Sequence, residues 1–146
     1  KLKEWNKLSF GSFTDIQAVL GINQLKRYDE GLKKRDEIAK KYLKEINPDL
    51  TSKFVSVYEH AISYRFLLNK DFNDFEKIKT KFAHKGISVR KGVDTLLHRK
   101  LKIKDNNFLN CVKLFNSTIS IPIYPSLKND ELDNVVKNIN KILKWV

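Results

Sequence analysis

Apolar residues recur at Ile22, Leu25, Tyr28, Leu32, Ala39, Tyr42, Leu43 and Ile46, a stripe of helical period. Opposite it stand acid-before-base pairs four residues apart, Asp29–Lys33, Glu30–Lys34, Asp36–Lys40 and Glu37–Lys41, which suit a solvated helix face. Thr14 and Gln17 have the spacing of a capping box, and Asn47-Pro48 closes the pattern because proline disfavours helix in the residue before it. One long helix over residues 14–46 is predicted. Its first turns differ from the rest: Ile16, Ala18, Val19, Leu20 and Ile22 surround the axis, and Gly21 permits close backbone approach. A helix end that is apolar all round must be covered on several sides, so a junction with a larger body is expected there.

Residues 1–13 read as a lead-in with apolar points at Trp5, Leu8, Phe10 and Phe13. Beyond the long helix, residues 54–58 read as a short extended piece. In residues 62–68, Ile62, Tyr64, Phe66 and Leu68 alternate as one face of a strand. Asn69-Lys70-Asp71 turns the chain into a helix over about 73–85, with Phe75, Ile78 and Phe82 inward and Gly86 placed as a left-handed residue after its end. Ile87-Ser88-Val89 begins a second strand that runs out near Gly92, and residues 94–105 read as an irregular basic loop. A short helix near 107–115 would pack Phe108, Val112 and Phe115. Residues 118–121 give a third strand, stopped by Pro122 and Pro125. The last helix, near 129–145, has the clearest stripe: Leu132, Val135, Val136, Ile139, Ile142, Leu143 and Val146. Helices interleaved with about three strands predict an α+β domain, a small mainly antiparallel sheet packed by the long N-terminal helix and further helices. No internal linker or repeat divides residues 14–146.

Charge changes this picture only in part. The 146 residues carry a formal net charge of +12, and residues 77–104 hold ten basic residues against Asp94 alone. That balance admits a nucleic-acid or other polyanion partner. Only five of the 29 bases are arginine, the residue that base-reading surfaces favour for its bidentate fork. A solvated lysine surface is therefore the better reading, and nucleic acid is not the expected partner. No apolar run is long enough for a membrane span and no signal-peptide pattern is present, so a cytoplasmic protein without membrane contact is expected. The chain begins at Lys1 and has no methionine, which predicts a fragment of a longer protein.

Chemistry-bearing motifs are sparse. There is no G-x-G-x-x-G, P-loop or G-x-S-x-G pattern, and His60, His84 and His98 have no neighbouring ligands at metal spacing. Cys111 falls with Phe108, Val112 and Phe115 at helical spacing, so a buried structural thiol is expected. His98, in the basic loop after Leu96-Leu97, and Arg90, on the second strand, are the candidate ligand contacts. No catalytic, cofactor-binding or metal-binding residue is identified.

The stretch TDIQAVLGINQLKR followed by RDEIAKKYLKEI resembles the start of the small C-terminal domain of DegT/DnrJ/StrS-family sugar-nucleotide aminotransferases. Further likenesses follow in order: Tyr64-Arg65-Phe66, Lys85-Gly86-Ile87, and SIPIYPSL at 120–127 before a closing helix. The resemblance implies the small domain of a fold-type-I, pyridoxal 5'-phosphate enzyme, acting on a keto-sugar nucleotide in amino-sugar or surface-polysaccharide synthesis. The large N-terminal domain would hold the Schiff-base lysine, the aspartate under the pyridine nitrogen and most phosphate contacts. No lysine motif of that kind occurs here, so the chain alone is expected to hold no cofactor and to be inactive. A homodimer formed through the large domain is implied for the full-length protein. Arg90 resembles an arginine found after G-I-x-x, and His98 the histidine of a P-L-H motif near the substrate, written here T-L-L-H. The sequence departs from the family where Phe10 and Ser12 stand at an asparagine and an arginine position, and where Lys128 replaces the usual Ser/Thr cap, leaving Asn129 to cap the closing helix. Two other readings remain beside this one, a non-catalytic basic module binding a polyanion through residues 77–104 and a degenerate aminotransferase relic serving as a subunit contact.

Overall fold

The structure, a computed structural model, describes residues 14–60, 62–70, 72 and 74–145. The expected lead-in, with Trp5, Leu8, Phe10, Ser12 and Phe13, lies outside the described residues. The chain forms two compact units, which meet in sequence at Gly31 and Leu32.

In the first unit, helix α1 (Asp15–Lys26) opens with the predicted capping box: the Thr14 hydroxyl accepts the Gln17 N–H at 3.3 Å and the Gln17 amide oxygen accepts the Thr14 N–H at 3.0 Å. The long helix is not continuous. It is interrupted at Arg27, whose N–H turns back to the Gln24 carbonyl at 3.2 Å, and resumes as helix α2 (Tyr28–Glu45). Local propensity favours continuation, and among the described residues none of α1 is buried. The predicted stripe is correspondingly exposed at Ile22, Leu25 and Tyr28.

In the second unit the stripe becomes a core face, with Ile38, Ala39, Tyr42 and Ile46 buried. Asn47 caps the short helix α3 (Pro48–Thr51), which continues through a 3-10 turn (Ser52–Phe54) into α4 (Val55–His60). The expected extended piece at 54–58 is thus helical. Leu50, Phe54 and Tyr58 are four residues apart and point one way, with Leu50 and Tyr58 buried. The following strand is shorter than predicted. Strand β1 (Phe66–Asn69) starts only at Phe66, because the Tyr64 N–H curls back to the Ile62 carbonyl at 2.8 Å, leaving Ile62 and Tyr64 exposed.

Helix α5 (Phe75–Ala83) is capped by Asp74, whose carboxylate accepts the Lys77 N–H, and ends before Gly86 at φ 71°, the predicted left-handed position. Strand β2 (Arg90–Lys91), helix α6 (Leu97–Lys100), a 3-10 turn (Asp105–Phe108) and helix α7 (Leu109–Asn116) follow. Strand β3 (Thr118–Ile121) occupies the predicted residues. Helix α8 (Asn129–Ile142) buries Leu132, Val135, Val136 and Ile139, and a 3-10 turn (Leu143–Trp145) closes the chain. Its cap residue is Lys128, not Asn129. An ammonium cannot accept a bond, so the cap works from one side, with the Glu131 carboxylate accepting the Lys128 N–H at 2.9 Å.

The sheet has order β1-β3-β2 and is antiparallel throughout, with Phe66 opposite Ile121 and Arg90 opposite Ser120. Every residue of the central strand β3 is buried. Phe66 and Leu68 face one core layer with Ile119 and Ile121, closed by α2 and α8. On the other face the chain passes close at Gly92, where an added Cβ would lie 3.0 Å from the Thr118 hydroxyl. The expected α+β architecture is the observed one.

Two buried phenols tie helices to the sheet. The Tyr42 hydroxyl donates to the Pro122 carbonyl at 2.7 Å, and the Tyr58 hydroxyl donates to the Leu67 carbonyl at 3.2 Å while accepting the Leu67 N–H. Burial pushes the Tyr58 phenol up to about 12 and raises that of Tyr42 as well. A raised phenol pKa means the folded state prefers the neutral form. That contribution is complete below the unfolded value near 10 and is lost as pH rises through 12. Alkaline unfolding is therefore expected to steepen above about pH 10, and the slope should flatten in Tyr58→Phe, as followed by circular dichroism against pH.

Candidate functional site

Residues 87–90 alternate buried and exposed, with Ile87 and Val89 inward and Ser88 and Arg90 outward. This period of two leads into β2 and sets Arg90 and Lys91 on opposite faces of an edge strand. The Arg65 guanidinium steadies that edge by donating to the Lys91 carbonyl at 3.4 Å. An open groove runs along it, lined by Phe75, Glu76, Lys79, Arg90, Lys91 and Asp94 among others.

Arg90 is exposed there and has no side-chain partner among the described residues. Lys91 is half-buried. Its amine donates to the Asn116 carbonyl at 3.1 Å and sits over two rings, 4.8 Å from the centroid of Phe75 and 5.4 Å from that of Phe115. Burial lowers its pKa, with the Glu76 carboxylate opposing. The Arg99 guanidinium lies 5.6 Å from the same Phe115 ring. Phe75, Lys91, Phe115 and Arg99 therefore form one continuous row of rings and cations.

His98 belongs to the far end of that row. Where the sequence suggested an irregular loop, α6 makes a helical turn. His98 is 7% exposed, its ring stacked on Phe108 at 4.5 Å and its Nε2 3.0 Å from Asp105 Oδ1. Asp105 also takes two bonds from Arg99, at 2.9 Å from Nε and 2.6 Å from Nη2. Arg99 first, and His98 second, hold the Asp105 carboxyl at about 2, well below the usual carboxylate range. A depressed carboxylate contributes stability that is complete above the unfolded value near 4 and lost as pH falls toward 2. Asp105→Asn should therefore be less stable than the parent at pH 6, with the difference closing by pH 2, measured by urea denaturation at each pH.

The two candidates read from the sequence are thus differently placed: Arg90 is open and free to meet a ligand, whereas His98 is buried on Asp105 and Phe108. No contact joins them among the described residues. Sequence reasoning missed Lys91, Arg99 and Asp105. Asp105 is the first acid after Asp94 in the basic stretch, which was the available signal. Cys111 is exposed on α7, not buried, because nothing among the described residues covers that helix face. Phe108 is exposed too, and Val112 and Phe115 are half-buried at most. Among the described residues no His, Cys, Asp and Glu cluster could hold a metal ion, and no helix is long and apolar enough to cross a membrane. The groove offers cations to an anion or a sugar hydroxyl, but no nucleophile paired with a base.

Residues 8–140 match the DegT/DnrJ/EryC1/StrS aminotransferase family. The chain is 27% identical over 143 residues to the spore coat polysaccharide biosynthesis protein SpsC of Bacillus subtilis, a match covering 89% of this chain and 36% of SpsC. It is 28% identical to a UDP-4-amino-4,6-dideoxy-N-acetyl-beta-L-altrosamine transaminase of Campylobacter jejuni, covering 91% of this chain and 38% of that protein. In fold it is similar to PseC of Helicobacter pylori, an aminotransferase involved in the biosynthesis of pseudoaminic acid, with TM-score 0.70, 19% identity, and coverage of 90% of this chain and 38% of that one. The chain spans a little over a third of the length of these relatives.

Proposed function

The chain belongs to the DegT/DnrJ/EryC1/StrS aminotransferase family, and from that premise we propose that it is the small C-terminal domain of an enzyme that transaminates a keto-sugar nucleotide. The match across residues 8–140 is the observation that carries this reading. The family works with pyridoxal 5'-phosphate, which supplies an electron sink when bound. The described residues do not fit that group. Their partly covered lysines are already engaged, Lys41 with Asp133, Lys70 with the Leu143 carbonyl and Lys91 with the Asn116 carbonyl, and the grooves are open. The cofactor, its lysine and its phosphate contacts are therefore assigned to a large domain outside this chain, and the chain alone is inactive. The same large domain covers the exposed apolar turns of α1 and pairs two copies of the full-length protein, which works in the cytoplasm.

In this scheme the β2 edge forms part of the substrate wall. Arg90 presents its guanidinium to an anionic or hydroxyl group of the sugar nucleotide. His98 acts through position: with Asp105 it fixes α6 and the Arg99 guanidinium over Phe115. In the full-length enzyme Arg90→Ala is expected to raise KM for the nucleotide sugar roughly tenfold with a smaller change in kcat, the loss of one charged hydrogen bond. The decisive comparison expresses this chain alone and together with the large domain. The chain alone should show no cofactor absorbance, and the pair should show it and aminate a keto-sugar nucleotide. A complete gene with no Schiff-base lysine upstream would remove the proposed activity.

A further inference from the structure

Strand β2 lies at the edge of the sheet and pairs over two residues only, Arg90 opposite Ser120 and Lys91 opposite Ile119. Strands usually run to roughly three to ten residues, and so short a ladder does little to fix its own register. Something else must hold this edge if Arg90 is to present its guanidinium at one place. We propose that Lys91 is the positioning residue for Arg90: its seated amine locks the β2 edge, and with it the guanidinium that meets the nucleotide sugar. The inference rests on the contact proposed above for Arg90.

The seat is built by two helices. Phe75 opens α5 and Phe115 stands in the last turn of α7, and the Lys91 ammonium lies 4.8 and 5.4 Å from their ring centroids. The same nitrogen donates to the Asn116 carbonyl at 3.1 Å. Asn116 ends α7, so its carbonyl has no partner within the helix and lies at the negative end of the helix dipole. An ammonium answers two ring faces, an orphan acceptor and a dipole end at once. Alternation along the strand sends Arg90 the other way, where it is exposed and has no side-chain partner among the described residues. Arg90 therefore cannot anchor β2 itself.

The backbone around Lys91 is fixed to match. The Arg65 guanidinium donates to the Lys91 carbonyl at 3.4 Å. At Gly92 the chain leaves the strand so close to the sheet that an added Cβ would stand 3.0 Å from the Thr118 hydroxyl oxygen and 3.4 Å from Leu67 Cδ2. That hydroxyl is itself held, donating to the Leu114 carbonyl at 2.6 Å. Leu114 and Asn116 both belong to the end of α7, so one helix end anchors β3 through Thr118 and β2 through Lys91. Without the amine, β2 keeps its two ladder residues and the long Arg65 bond, and Arg90 is no longer held at one place. Substrate binding must then order the edge as well, and affinity falls.

The test compares Arg90→Ala, Lys91→Met and the two together in the full-length enzyme, with Lys91→Arg as the conservative change. Lys91→Met keeps the stem against the rings and removes the charge and the donor. It is expected to raise KM for the nucleotide sugar up to about tenfold, with kcat nearly unchanged. The double variant should be no worse than Arg90→Ala, because Lys91 acts through Arg90. Lys91→Arg, which keeps a cation over the rings and a donor toward Asn116, should recover most of the affinity. Losses that add in the double variant would make Lys91 a ligand contact in its own right and overturn the proposal. So would a parental KM in Lys91→Met beside an impaired Arg90→Ala, a result that leaves the role of Arg90 intact. An Arg90→Ala enzyme with parental KM would remove that role, and this inference with it. Amide exchange of residues 89–92 in the isolated chain needs neither substrate nor cofactor. It should quicken about tenfold in Lys91→Met and return toward the parent rate in Lys91→Arg; unchanged exchange would overturn the proposal.

Discussion

Phe66→Ala is expected to remove about 3–5 kcal/mol, the range for deleting a buried phenyl group, from a fold whose total stability is of order 5–15 kcal/mol. Phe66 is wholly buried at the start of β1, stacked on Tyr58 at 4.3 Å with 8° between planes, and tilted against Tyr42 at 4.9 Å. Those two tyrosines carry the hydroxyls that reach Pro122 and Leu67, so the ring is the common support of both helix-to-sheet ties. Its removal opens a space that Tyr42 cannot fill without giving up the Pro122 carbonyl, and an orphaned buried carbonyl adds its own cost. Urea denaturation would measure the loss. Alanine at half-buried Leu67, one position along, should cost less. A loss below about 1.5 kcal/mol at Phe66, the size of a tolerated core repacking, would show that this three-ring stack is not the centre of the fold.

What could be read from the sequence was local and had a stereochemical cause. Thr14 with Gln17, Gly86 at positive φ, and the Pro122 stop after β3 are each fixed by backbone chemistry within a few residues, and each stands where expected. The closing helix was legible because its stripe is regular, with Leu132, Val135, Val136 and Ile139 buried, while Val146 lies outside the described residues. The misreadings needed information from distant partners. Phe54, Val55, Val57 and Tyr58 have the composition of a strand, yet helical spacing places Leu50 and Tyr58 in the core, and tertiary packing overrides β-propensity there. Cys111 and Phe108 have core spacing, but among the described residues nothing covers that side of the chain and both are exposed. Of the two candidate contacts, Arg90 stands exposed on β2, as an edge-strand residue of alternating pattern would, while the burial of His98 depends on Asp105 seven residues on, a pairing that no period announces.

The second large effect concerns α1. Substituting Ile16, Leu20 and Leu25 together by serine is expected to leave the isolated chain nearly as stable as the parent, and to release the cofactor from the full-length enzyme. Ile16 and Leu25 are 74% and 72% exposed, Leu20 60%, and no residue of the helix is buried, so the chain loses almost no internal packing. Exposed substitutions of this kind typically stay within about 0.5 kcal/mol each. If the large domain covers these side chains, as proposed, the same change removes three buried aliphatic groups from that junction, at about 1.5–3 kcal/mol apiece. That sum rivals the stability of a whole domain. Denaturation of the chain and cofactor retention by the full-length protein would be measured on the same triple variant. A chain that unfolds would mean that α1 is needed by the second unit itself. A full-length enzyme that keeps its cofactor and activity would mean that these turns face water in the working protein, and the junction would have to lie elsewhere.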